Sequence, residues 1–168
     1  MKIYRRVIPK IAKDVVRALL VNHSIEVEDG RRDEAELDIA GVLVKYLNDI
    51  EQLNTDAREA LDRHKLSSSA LGEVKKNIAN KRNLIVGTGS EEFVMQLILD
   101  SLFNSLNIQE IFADDDELRS MIKAAMGKYV GVDAELDREV RNRLKNLREG
   151  TPEWESEYNR VIAQMRSS

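Results

Sequence analysis

Residues 33–61, DEAELDIAGVLVKYLNDIEQLNTDAREAL, and residues 116–144, DELRSMIKAAMGKYVGVDAELDREVRNRL, decide the fold, because the second stretch follows the first in outline 83 positions later. Asp33/Asp116, Glu34/Glu117, Ile39/Ile122, Lys45/Lys128, Tyr46/Tyr129, Leu53/Leu136, Arg58/Arg141 and Leu61/Leu144 are identical pairs. Carried outward without a gap, the match lays Arg17–Asn83 on Asp100–Arg166 and adds Leu19/Leu102 and Ile25/Ile108. Apolar meets apolar where identity fails, as at Leu20/Phe103, Leu43/Met126, Leu47/Val130, Ala57/Val140, Leu71/Trp154 and Ile78/Val161. A shared apolar pattern means a shared packing solution, so the expectation is one fold used twice.

Apolar residues recur at steps of three and four, the helical period. Pro9 suits a first helical turn, and Ile11, Val15, Ala18 and Leu19 form one face of a helix running to about residue 22. Further helices are predicted near 33–48, 52–65 and 70–82, the last capped from Ser67-Ser68-Ser69. The second half repeats the order near 91–106, 116–130, 134–147 and 152–166. Ser90 reads as a cap. Gly150-Thr151-Pro152 reads as a stop, a cap and a first-turn proline. The expected class is all-α: two homologous four-helix units, 1–83 and 91–168, joined by a linker at 84–90, with no strand.

Composition agrees with helix. Charged residues make up 33% of the 168 and aromatics 5%, and only two prolines occur. A β-rich domain leans on aromatic and β-branched residues. The absence of cysteine removes disulfides and thiolate chemistry and fits a cytoplasmic location. No run approaches the ~20 apolar residues of a membrane span. The N-terminal MKIYRRVIPKIAKDVVRALL is broken by Lys10, Lys13, Asp14 and Arg17, so it reads as part of the fold and not as a signal peptide. Residues 1–83 hold 16 basic and 14 acidic side chains, and residues 84–168 hold 10 and 16. The halves keep a buried pattern on different surfaces, which points to different neighbours.

Motifs for chemistry are sparse. Leu84-Ile85-Val86-Gly87-Thr88-Gly89-Ser90 lacks the third glycine of a dinucleotide loop and the Gly-Lys-Ser/Thr of a P-loop, so it reads as a flexible linker with a helix cap. Asp114-Asp115-Asp116-Glu117 lacks the order of an EF-hand and reads as a helix start. His23 and His64 have no partner at ligand spacing, and His64, opposite Leu147 on an apolar stripe, reads as a partly buried structural residue. No cofactor or metal is expected, and no catalytic residue.

The sharpest surface signal is basic: Lys2, Arg5, Arg6, Lys10, Lys13 and Arg17. Lys10, Lys13 and Arg17 share the face opposite the apolar stripe, and the second half has no equivalent charge there. The set reads as a solvated face or as a contact for phosphates or another anionic surface. A second set is marked by recurrence: Lys45, Tyr46 and Arg58 with Lys128, Tyr129 and Arg141. It reads as scaffold or as a shared site. Trp154, opposite Leu71 and four residues before Tyr158, is expected to anchor the last helix in the core.

The C-terminal half carries an Asp-Asp-Asp-Glu-Leu helix start, then Asp133-x-x-Leu136-Asp137-x-x-Val140-Arg141, then Gly150-Thr151-Pro152-Glu153-Trp154 and Tyr158. In these it resembles the bacterial proteins grouped as domain-of-unknown-function family 507. The N-terminal half resembles the same family, with Ser67-Ser68-Ser69 standing where the Gly-Ser/Thr-Pro-Glu-Trp segment would be. The resemblance covers nearly the whole chain and implies an all-helical bacterial protein, with no activity or site residues to carry over. The expected function is a non-catalytic interaction or scaffold module that binds a protein partner or a second copy of itself. The alternative is a nucleic-acid-associated protein using the basic N-terminal segment.

Overall fold

A computed structural model describes residues 2–130, 132–149 and 151–166. Among them lie seven α-helices and two short strands: α1 Ile8–Val21, β1 Ile25–Val27, α2 Arg32–Arg63, α3 Leu71–Lys81, α4 Ser90–Asn104, β2 Ile108–Ile111, α5 Asp115–Val130, α6 Val132–Arg143 and α7 Pro152–Arg166. The class is all-α.

Two expectations about the elements are corrected. Eight helices were predicted, and the two placed at 33–48 and 52–65 form one, α2. No glycine or proline interrupts Asn48 to Glu51, and the pairs Lys45–Asp49 and Gln52–Asp56 run along the helix where the break was expected. Strands were not expected, yet β1 and β2 pair antiparallel, Ile25 opposite Ile111 and Glu26 opposite Glu110, with an irregularity after Glu26. Each run is too short to show alternation, and partners so far apart in the chain carry no hairpin turn for a sequence to reveal.

Helix α1 is the centre of the fold. It buries Ile8, Ile11, Ala12, Val15, Val16 and Leu19, with Pro9 in its first turn. One side of it packs on α2 and the other on α5, while α2 also receives α3 and α4. A single apolar cluster therefore takes Ile11, Ile39 and Leu43 from the first half together with Ile98, Leu118 and Ile122 from the second. Burying such side chains supplies roughly 1.5–3 kcal/mol each.

Element kinds recur at the sequence offset. Shifted by 83, α1 falls on 91–104, where α4 runs, and β1 falls on 108–110, within β2. The joins recur too, and they cross between halves. Asn107 donates to Asp38 at 2.9 Å, and Ser24, 83 positions earlier, donates to Met121, 83 positions after Asp38, at 3.3 Å.

The helix ends follow their local chemistry. Asp114 and Glu117 form a reciprocal capping box at the start of α5: Glu117 N–H donates to Asp114 at 2.9 Å and Asp114 N–H to Glu117 at 3.2 Å. The acidic run is thus a helix start, as read. Thr151 Oγ1 accepts from the Trp154 N–H at 3.2 Å, and Pro152 opens α7. The stop read at Gly150 lies outside the described residues. Ser90 is not the cap of α4: Gly89, at φ 86°, holds that position, and Ser90 is the buried first residue. A left-handed φ favours glycine there. His64 is corrected as well. It is exposed at the C-terminal end of α2, where the chain leaves the helix and the apolar stripe ends.

Candidate interaction site

The basic N-terminal set divides when the chain folds. Arg5 lies against α2 at the surface, its guanidinium donating to Asn48 at 2.5 Å and pairing with Glu51 at 3.0 Å. Lys2 lies 5.8 Å from the Tyr4 ring centre. Arg6 is half-buried. Lys10, Lys13 and Arg17 are exposed on α1, and Arg17 faces Asp14 at 3.6 Å. Among the described residues Lys10 and Lys13 make no ion pair.

The recurring set also separates. Tyr129 donates to Asp14 at 2.6 Å, and Lys128 stands 4.0 Å from the same carboxylate. Arg17, Lys128 and Tyr129 thus meet at Asp14, which with Arg17 and Lys128 lines a groove of about 330 Å³ between α1 and α5. The bond to Asp14, with some burial, raises the Tyr129 hydroxyl above its ordinary pKa. Tyr46, its counterpart, donates to the Ile85 carbonyl at 2.9 Å, and burial raises its pKa. With Lys45 it lines a cleft of about 710 Å³ between α2 and α4. Leu97 stands in the Asp14 position there, so Lys45 pairs with Asp49 instead, at 2.6 Å. Arg58 is exposed. Arg141 pairs with Glu149 and lies 5.4 Å from the Trp154 ring centre. At the recurring positions the partners differ between the halves.

A different surface stands out, and the sequence reading missed it. Leu106 is 92% exposed, Leu37 67%, Phe112 59% and Phe103 57%. Leu37, Leu106 and Phe112 lie about the β-ribbon, Leu106 and Phe112 beyond opposite ends of β2, and Phe103 is in the last turn of α4. Asp38, next to Leu37, accepts from Ser105 and Asn107, the residues on either side of Leu106. The Phe112 N–H donates to the Ser24 carbonyl at 2.8 Å, extending the β-ribbon. At the offset of 83, Leu106 corresponds to His23, Phe112 to Asp29 and Leu37 to Ser120. His23 and Asp29 flank β1 as polar residues, so the scaffold does not require apolar ones at 106 and 112, whereas Phe103 answers to the apolar Leu20. Comparison of the two halves at exposed positions could have revealed this, whereas a search for shared apolar positions passes over it.

A family model matches residues 1–167. The chain belongs to the family described as protein of unknown function (DUF507). That description assigns a DUF507 chain no activity, and no curated protein matches this one. Among the described residues of this DUF507 protein no helix is long and apolar enough to cross a membrane. Nor do three His, Asp or Glu side chains gather there as metal ligands.

Proposed function

We propose that this DUF507 protein is a non-catalytic interaction module whose β-ribbon corner binds a protein partner. The observation that carries the reading is that Leu37, Leu106 and Phe112, about the β-ribbon, and Phe103, at the end of α4, are large apolar side chains left in water. Single exposed apolar residues are ordinary, but several of them about one short ribbon favour an interaction surface. Two copies of one unit fit this role, because the second copy can change its surface while the joint core is kept. The recurring element order and the crossed joins support that origin. A scaffold role, a cytoplasmic location and self-association belong to the same proposal.

Capture from native cells with the full chain and with L106S/F112S tests it. A stoichiometric partner held by the wild type and lost from the variant is the expected result. Equal capture by both overturns the assignment to this corner.

A second reading has its own observation: Lys10 and Lys13 project from α1 without ion pairs among the described residues. They suit contact with nucleic-acid phosphates. Replacing Lys10, Lys13 and Arg17 with Gln and measuring binding to mixed nucleic acids at two salt concentrations tests it. Unchanged binding, or none by the wild type at low salt, removes this reading.

A further inference from the structure

We propose that the β-ribbon corner takes a cationic amphipathic segment of its partner, with Leu106 and Phe112 meeting the apolar side chains and Glu26 and Glu110 meeting lysines or arginines. The inference rests on the interaction reading above and adds the chemistry of the partner.

Charge in the two stretches that carry the ribbon is one-sided, although Arg119 on α5 pairs with Asp115. Residues 24–38 hold seven acidic and two basic side chains, and residues 105–117 hold five acidic and no basic ones. Of the two bases, Arg32 is turned to Glu36, 3.5 Å away on its own helix. A surface that carries apolar and acidic side chains side by side favours a partner with the opposite charge beside its own apolar side chains, both in encounter and in register.

The ribbon adds an independent observation. Glu26 and Glu110 are direct cross-strand partners and both are exposed. Like charges facing each other across a ladder destabilise it. Neither has an ion pair among the described residues, so the isolated fold leaves the repulsion in place. A lysine or arginine laid between them removes it, so the bound state gains an interaction that the free fold lacks. Phe112 lies two residues beyond Glu110, on the same side by strand alternation. An acid pair and an aromatic ring are thereby presented together.

The occupant has to offer both kinds of group. A nucleic acid or an anionic membrane meets repulsion here. A purely basic chain leaves Leu106 and Phe112 in water.

The test uses the full chain and two synthetic amphipathic helices, one of leucine and lysine and one of leucine and glutamate in the same pattern. Binding is followed by calorimetry at low and moderate salt. The Leu/Lys helix is expected to bind and the Leu/Glu helix not to. L106S/F112S, with charge unchanged, should weaken binding roughly tenfold or more at both salts. E26Q/E110Q should weaken it roughly tenfold at low salt and less at higher salt, where screening already removes the charge contribution. E73Q, on α3, should bind as wild type. All the substituted residues are exposed, so melting temperatures should stay close to that of the wild type, and L106S alone serves if the double variant does not fold.

No binding of the Leu/Lys helix, equal binding of the Leu/Glu helix, or unchanged binding by both double variants overturns the proposal. Sedimentation of the full chain supplies another decisive outcome: self-association abolished by L106S makes a second copy the occupant and also overturns it. If native capture depends on Leu106 while the Leu/Lys helix fails, the interaction reading stands and the cationic partner falls. If capture is independent of Leu106, the corner itself falls.

Discussion

Tyr129 and Asp14 are joined by a 2.6 Å hydrogen bond from hydroxyl to carboxylate, although 115 residues separate them in the chain. The bond ties the end of α5 to the middle of α1 and so holds the second half to the first. Y129F removes the donor and leaves Asp14 with Arg17 and Lys128. Because the pair is only partly shielded from water, the expected loss is about 1 kcal/mol or less. A urea denaturation series on the variant measures it. A loss of several kcal/mol would mean that Tyr129 does more than bridge two helices.

Alkaline pH should loosen the fold through two tyrosines. The bond to Asp14 raises Tyr129, and burial raises Tyr46. A raised tyrosine pKa means that folding favours the neutral hydroxyl. This contribution is whole below the ordinary tyrosine pKa, about 10, and is lost as pH rises through the folded value. Y46F/Y129F should therefore lose less stability than wild type between neutral and strongly alkaline pH. Parallel curves would show that the lysines, which titrate in the same range, account for the whole effect.

Ile39 and Ile122 occupy matching positions and are both fully buried in the common cluster. Each truncation to alanine should cost about 2–5 kcal/mol. Because both line one core, each variant should unfold the whole chain in one transition, measured by calorimetry. Two separate transitions in either variant would mean that the halves unfold independently.

Trp154 is half-buried against the core, not enclosed by it as the sequence reading expected. Its ring lies 5.0 Å from that of Tyr158 at an interplanar angle of 22°, with Arg141 against it. W154A should therefore cost roughly 2–3 kcal/mol, below the range for a fully enclosed ring. R141Q should cost about 0.5–1 kcal/mol. Thermal melts of both separate these values. W154A melting with wild type would make the ring a surface feature.

Much of the fold was legible because burial repeats at helical spacing. Ile11, Val15, Leu19, Ile39 and Leu43 are all buried as read. The joining of two predicted helices into α2 was not legible, since the polar stretch Asn48 to Glu51 resembles a loop unless its i,i+4 pairs are considered. The ribbon was not legible either, because its ladder depends on how the halves dock. Ile25/Ile108 was its only trace. The basic helix face was legible as a pattern, but the pairing of Arg5 with Asn48 and Glu51 was not. A partner on α2, far along the chain, cannot be read from periodicity. The exposed apolar residues at 106 and 112 were missed because core positions are sought where apolar residues coincide, and at these two they do not.

The central claim is that the protein meets a partner at the β-ribbon corner. Its most direct test is site-specific photocrosslinking in native cells, with the reactive residue placed singly at 106, 112, 13 and 76 of the full chain. The account predicts one crosslinked protein band from positions 106 and 112 and none from position 76 on α3. Crosslinks from position 13 on α1 alone, or equal yields at all four positions, would contradict it.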